Sequence, residues 1–214
     1  MIFKNPELED VKRMKEYFAN DYFTASAYTA AMIYLWAPVY GGEIAYEDDL
    51  LIFRCRISDE IPMTYCYPIG AGDKKAMIDK LRAMSEEAGD PFVMHSITHE
   101  MEKELRAMYG DTFEVEYYRS EADYVYLSEK LISLAGKKLH GKRNHINRFN
   151  ANHSWTYETI NDDNVLECLG MLMYWKLDNL SGTGNEEGKA AEIRVAKEAL
   201  MYRKQLGFRG GLIR

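Results

Sequence analysis

The sequence has little cysteine, proline or glycine, and these shortages exclude several classes of protein. Its 214 residues include 3 cysteines, 5 prolines and 15 glycines, while 47% of the residues are hydrophobic. An odd number of widely spaced cysteines without a C-x-x-C pair excludes a disulfide scaffold and a zinc ribbon. The composition also excludes collagen-like and disordered chains. Because no signal-peptide pattern opens the sequence, we expect a globular protein of the cytoplasm.

Charge is absent from residues 22–42, a run long enough to cross a bilayer. Its apolar residues are mostly alanine and tyrosine, and it contains Pro38. Acidic Asp21 and Glu43 flank it, where a membrane span would have basic anchors. We therefore interpret residues 24–36 as a buried helix of a globular protein, and we predict no transmembrane segment.

Acidic residues are absent between Glu129 and Glu158, although the chain as a whole carries a net charge of -7. Six of the 27 cationic residues lie in this interval. The rest of the chain therefore has 21 cationic residues and all 34 acidic residues. Its basic side chains and histidines are Lys130, Lys137, Lys138, His140, Lys142, Arg143, His145, Arg148 and His153. We call residues 128–153 the basic segment. One basic surface on an acidic protein suits a phosphorylated partner.

The basic segment has a helical pattern over residues 136–150. At about 100° per residue, Lys138, Lys142 and His145 fall within roughly 60° of one another. Leu139 and Ile146 share the adjoining face, which predicts a helix that is anchored on its apolar side. We predict that five side chains bind a polyanion such as the acceptor end of a tRNA: Lys138, Lys142, Arg143, Asn144 and His145.

Two other interpretations of the basic segment stay open. Clustered cations often form no more than a solvated helix face. Alternatively, Arg143 and Asn144 hold two modules of the protein together. The binding hypothesis has chemical support because Arg and Lys neutralise phosphates, while Asn and His add directional hydrogen bonds.

Hydrophobic periodicity predicts a mixed order of helices and strands. Before the basic segment we predict helices over residues 6–20, 24–36, 73–88 and from 98, and strands over residues 43–46, 50–57, 63–69, 91–97 and 113–117. After it we predict a strand at 155–160, helices around 165–177 and 193–200, and a strand at 208–213. The second series starts like the first, so we expect an internal repeat.

The order of elements in residues 1–127 resembles the GCN5-related N-acyltransferase fold. Two sequences, DYVYL at 123–127 and GKKLHGKRNHINRF at 136–149, point to one group within this fold, and residues 142–145 are the most specific part of the resemblance. Over essentially its whole length, the chain is similar to soluble relatives of the C-terminal domain of phosphatidylglycerol lysyltransferases.

This resemblance implies an α/β (α+β) fold in which helices flank a mixed sheet, in tandem design. The modules would be residues 1–127, a basic linking helix at 128–153, and a second, incomplete module at 154–214. We expect a segment after Arg214 to complete that second module. The resemblance further implies an aminoacyl- or acyl-transferase that uses a charged tRNA as donor and an amine or hydroxyl as acceptor.

A glycine-rich turn raises the alternative of a coenzyme A-dependent N-acetyltransferase. In acyltransferases of this fold, the turn that corresponds to Gly70, Ala71 and Gly72 binds the pyrophosphate of acyl coenzyme A. Here Tyr67 replaces the usual Arg or Gln, and Asp73 places a carboxylate at the phosphate position. We therefore favour a turn that ends in an Asp N-cap. A noncatalytic RNA- or phosphate-binding module is the alternative from another class.

Candidate metal ligands and nucleophiles are few. His95 and His99 lack a third ligand at a suitable spacing, so we predict no metal site. Cys66 and Cys168 lie in apolar runs, which predicts unreactive thiols in the core. No residue of the sequence identifies itself as the catalytic base, and the catalytic residues stay unassigned.

Overall fold

The computed structural model describes residues 1–19, 25–56, 61–179 and 186–214. Its helices are α1 (Asp10–Phe18), α2 (Ala30–Tyr40), α3 (Lys74–Ala88), α4 (His99–Tyr109), α5 (Ser128–Ser133), α6 (His140–Asn152), α7 (Val165–Asn179), α8 (Glu186–Met201) and α9 (Arg203–Leu206). Its strands are β1 (Glu43–Glu47), β2 (Leu50–Cys55), β3 (Thr64–Tyr65), β4 (Ile69–Gly70), β5 (Tyr157–Thr159) and β6 (Gly211–Ile213). The predicted α+β class is confirmed. Residues 20, 24 and 57 of the predicted elements lie outside the described residues.

The first sheet is built around β2, which is antiparallel to all of its neighbours. On one side β1 pairs with it so that Ile44 lies opposite Phe53. On the other side β3 and β4 pair with its two ends. Asp48 and Asp49 connect β1 to β2 with φ of 50° and 58°, a left-handed conformation that Asp tolerates better than most residues.

Both faces of this sheet are covered. Ile44 and Leu51 point into a core that α1, α2 and α4 complete. Alternate residues point the other way, where Ile52 packs with Leu81 of α3. Residues 30–40 of the uncharged run form α2, and the buried side chains of α2 confirm the interpretation of a buried helix. None of the described helices is both long and apolar enough to cross a membrane.

The two predicted strands after α3 are wrong. Residues 91–97 form only a single parallel bridge, between Met94 and Tyr65. Residues 113–117 are not a strand, and Tyr117 is 69% exposed. Their apolar alternation suits a strand, but a strand also needs a neighbour for its backbone hydrogen bonds, and the described residues place none beside 113–117.

The C-terminal elements contact the core that α1, α2 and α4 form with the first sheet, which we call the first core. Helix α7 packs on α8, and α8 packs on α2. Leu206 of α9 lies in the same buried cluster as Val11 and Met14 of α1. Strands β5 and β6 pair antiparallel in a second, two-stranded sheet. The tandem arrangement and the boundaries at residues 127 and 153 stay predictions.

The chain between residues 110 and 163 contributes no buried side chain. This exposed stretch contains the whole basic segment, and α6 has no buried residue. The predicted polyanion-binding surface is therefore presented to solvent.

Candidate polyanion-binding site

The basic segment does not fold as one continuous helix. Gly136 has a φ of 91°, which breaks the predicted helix near its start. A turn of 3-10 helix follows at Lys137–Leu139, and α6 begins at His140. Lys138 therefore lies in the 3-10 turn that leads into α6, while Lys142 and His145 lie on α6 itself, and the grouping of all three on one face stays a prediction.

Arg143 holds this turn in place. Its guanidinium Nη1 donates to the carbonyl of Leu134 and to that of Gly136, the latter at 2.9 Å. Leu134 is the C-cap of α5 and has a φ of 47°. Arg143 thus ties the end of α5 to α6, a structural role within the basic segment.

The side chain of Asn144 also contacts a neighbour within α6. Its Nδ2 lies 3.2 Å from Nε2 of His140, one turn earlier. Lys138, Lys142 and His145 are exposed. Asn144 is exposed as well, so only Arg143 of the five predicted binding residues is half-buried.

The predicted apolar anchor of α6 is only partly formed. Leu139 is half-buried, but Ile146 is 48% exposed. Among the described residues, α6 contacts mainly the turn that precedes it. The apolar side of this helix is accessible together with its cations.

An open pocket of about 350 Å³ lies at the C-terminal end of α6. Its lining consists of His145, Arg148, Phe149, Asn152 and His153. Of these five residues, only His145 belongs to the predicted binding set. A signal was present, because positions 145, 148, 149 and 152 have the i, i+3, i+4, i+7 spacing of one helix face.

Two rings line this pocket, those of Phe149 and His153, and Trp155 lies beside Phe149. The ring centroid of Phe149 lies 4.8 Å from that of His153 and 6.3 Å from that of Trp155. The indole Nε1 of Trp155 donates to Oδ1 of Asn150 at 2.9 Å, which orients the ring after α6. The end of the basic helix thus combines aromatic faces with cationic and amide groups.

The cations of the basic segment are not neutralised by carboxylates. Within the described part of the chain, none of its Lys or Arg side chains forms an ion pair. Elsewhere cations have acidic partners, such as Arg106 with Glu102 at 2.9 Å. The positive charge of this surface is therefore available to an external anion.

The turn at Gly70, Ala71 and Gly72 has a structural explanation of its own. A Cβ on Gly72 would lie 2.0 Å from the carbonyl oxygen of Asp48, and one on Gly70 would lie 2.4 Å from that of Asp49. The β1–β2 connection therefore approaches too closely for any side chain at these positions. Binding of acyl coenzyme A at this turn stays a prediction.

The predicted N-cap at the start of α3 is confirmed. Oδ1 of Asp73 accepts a hydrogen bond of 3.0 Å from the backbone N–H of Ala76. The helix end that would receive a phosphate in the coenzyme A alternative is thus already occupied by a carboxylate.

His95 lies in a half-buried cluster with two thiols. Its Nε2 lies 3.3 Å from Sγ of Cys55 and 3.5 Å from Sγ of Cys66. Burial lowers the pKa of the His95 imidazole from 6.5 to about 4, so the ring is neutral at neutral pH. Burial raises the pKa of the Cys55 thiol to about 11, and it raises the pKa of the Cys66 thiol further. These thiols are protonated and unreactive.

The two histidines considered as metal ligands, His95 and His99, do not lie together. The His99 ring is exposed and lies beside Tyr117, with 5.7 Å between the ring centroids. In the portion of the chain that the structure describes, no group of three or more His, Cys, Asp or Glu side chains is arranged to hold a metal ion. Cys168 is buried and free.

Fold and site together define an α+β protein that displays an exposed, acid-free basic helix. The sequence model of the family described as "Phosphatidylglycerol lysyltransferase, C-terminal" matches residues 22–214. The chain belongs to this family, which confirms the resemblance in its sequence.

One solved structure, of a conserved protein of unknown function from Bacteroides thetaiotaomicron VPI-5482, is similar to this chain. The two sequences are 30% identical, and the TM-score is 0.87. The match covers 100% of this chain and 72% of the other. No curated protein matches the sequence.

Proposed function

We propose that this protein is an aminoacyltransferase that takes its donor from a charged tRNA. Membership of the family supports acyl transfer, since the family's name describes the transfer of a lysyl group to phosphatidylglycerol. The acceptor in this protein is an amine or a hydroxyl. Because one fold can serve different functions, the donor is argued from the surface of this chain.

The observation that carries the proposal is the exposed basic helix. Lys138, Lys142 and His145 are exposed on a stretch without acidic residues. A row of unpaired cations binds a phosphate backbone because binding releases the counterions condensed on it. Arg143 contributes by holding the turn that precedes α6, so its role is positioning.

The reaction needs no resident cofactor in this proposal. The acceptor N–H or O–H attacks the carbonyl carbon of the aminoacyl ester, and a new C–N or C–O bond forms. The ester C–O bond to the terminal ribose breaks, and the proton of the acceptor passes to the released ribose hydroxyl. The protein would contribute by holding the acceptor N–H or O–H next to the ester carbonyl carbon.

The test combines binding with transfer. A tRNA charged with radiolabelled lysine is incubated with the protein and either phosphatidylglycerol vesicles or a small primary amine. We expect label to move to one acceptor faster than the ester hydrolyses without protein. We also expect Lys142→Glu to weaken tRNA binding and to lower the log-log salt slope by about one.

A matched control is Lys12→Glu, which changes an exposed lysine on α1 and should leave both quantities unchanged. If neither variant alters tRNA affinity at low salt, the donor proposal is wrong. If tRNA binds but no acceptor receives label, the protein is a noncatalytic RNA-binding module.

A further inference from the structure

The pocket at the end of α6 has features that phosphate binding does not use. Phe149 and Trp155 are 42% and 44% exposed, although they are large aromatic side chains on a strongly polar stretch. Cations need no aromatic neighbours to neutralise a phosphate backbone. The rings therefore indicate a second kind of contact.

The arrangement suits the flat face of a nucleobase. Phe149 and His153 lie 4.8 Å apart between ring centroids, and Trp155 is fixed beside them by its hydrogen bond to Asn150. Proteins that bind single strands use such rings as stacking platforms next to a basic track. A base inside a duplex is already stacked on both faces and is not free to occupy the pocket.

The remaining groups match the other parts of a nucleotide. Arg148 lines the same pocket and can neutralise a phosphate on either side of the stacked base. The amide of Asn152 also lines it, and an amide can pair with the donor and acceptor groups on the edge of a base.

We infer that this pocket is a subsite for one unpaired nucleotide of an RNA strand. Its base stacks on the face of Phe149, with the tilted ring of Trp155 beside it, while Arg148 contacts the adjoining phosphate. This inference rests on the proposed function, because it names the part of the donor that α6 holds. The unpaired end of the donor strand fits the pocket, and a duplex lies along the lysines.

The experiment compares two RNA probes of equal length, a 12-nucleotide oligouridylate and a 12-base-pair duplex. Binding of each is measured against salt for the wild type, Phe149→Leu and Trp155→Leu. Loss of one stacked base should weaken binding of the single strand by about 5- to 100-fold. Affinity for the duplex and the salt slope should stay unchanged, because both depend on phosphate contacts.

Tyr174→Leu is the matched control, since Tyr174 is 73% exposed on α7, outside the basic segment. It should bind both probes as the wild type does. Because α6 has no buried residue, the leucine variants should retain the wild-type melting temperature. As a measurement on the unaltered protein, oligouridylate should quench the fluorescence of Trp155, and Trp155→Phe should lose that quenching.

The outcomes separate this inference from the proposed function. Equal loss of single-strand and duplex binding in Phe149→Leu, or no loss at all, overturns the stacking subsite even when aminoacyl transfer proceeds. Selective loss of single-strand binding supports the subsite even when no acceptor receives label, and in that case only the transferase proposal fails. Unchanged tryptophan fluorescence on saturation with oligouridylate also overturns the subsite.

Discussion

The imidazole of His95 couples the stability of the first core to pH. The pKa of the ring is about 4 in the folded protein, whereas its ordinary value is 6.5. Above pH 6.5 the ring is neutral in both states, and its contribution to stability is fully present. As the pH falls from about 6.5 towards 4, the unfolded chain takes up a proton that the folded chain resists.

We therefore predict that acidification through this window destabilises the protein by up to about 3 kcal/mol through His95. The free energy of unfolding, measured with urea at several pH values, should fall more steeply for the wild type than for His95→Gln. Changes that arise from carboxylates are common to both proteins and cancel in this comparison. Parallel pH curves for the two proteins would contradict the prediction.

At the scale of single elements, the N-terminus of α3 decides between the two acyl donors. Asp73 caps this helix, and its negative charge opposes a pyrophosphate. We predict that acetyl coenzyme A does not raise the melting temperature of the wild type, whereas a ligand of the folded state would raise it by mass action.

Asp73→Asn is a suitable companion variant because Asn also caps helices but carries no charge. Replacing Gly72 would be a poor test, since any side chain there would collide with the carbonyl of Asp48. A saturable shift in the wild type would restore the coenzyme A alternative. A shift confined to Asp73→Asn would identify the carboxylate as the group that excludes the cofactor.

At the scale of the whole molecule, α9 ties the C-terminal part of the chain to the first core. Leu206 is 3% exposed and belongs to the buried cluster of α1 and α2. The Nζ of Lys15 on α1 also donates to the carbonyl of Gln205 at 3.0 Å. These contacts join segments that the predicted boundaries separate.

We predict that Leu206→Ala lowers the free energy of unfolding by about 2–5 kcal/mol, the usual effect of a large cavity in a core. Leu177→Ala, at a position that is 71% exposed, should change it by less than about 0.5 kcal/mol. Urea unfolding followed by circular dichroism and by hydrogen exchange at the α1 amides would measure both effects. If α1 keeps its wild-type protection in Leu206→Ala, α9 does not stabilise the first core.

Local features of the fold could be predicted from the sequence, because short-range interactions determine them. Asp73 is predicted as a helix cap, and it accepts the expected hydrogen bond from the backbone N–H of Ala76. The β1–β2 hairpin follows from the turn chemistry of Asp48 and Asp49. The buried helix α2 follows from the absence of charge in its sequence. The basic segment was visible as a run without acidic residues.

Other features required the tertiary structure, because they depend on residues far apart in the chain. The bridge between Met94 and Tyr65 brings His95 to the thiols of Cys55 and Cys66, which no spacing in the sequence indicates. Residues 113–117 have the alternation of a strand, but no strand in the described part of the chain lies beside them. Gly136, in left-handed backbone, lies between α5 and the 3-10 turn that contains Lys138 and leads into α6. Sequence patterns specify the surface that an element can offer, but the packing of distant segments decides which surfaces are covered and which remain free to bind.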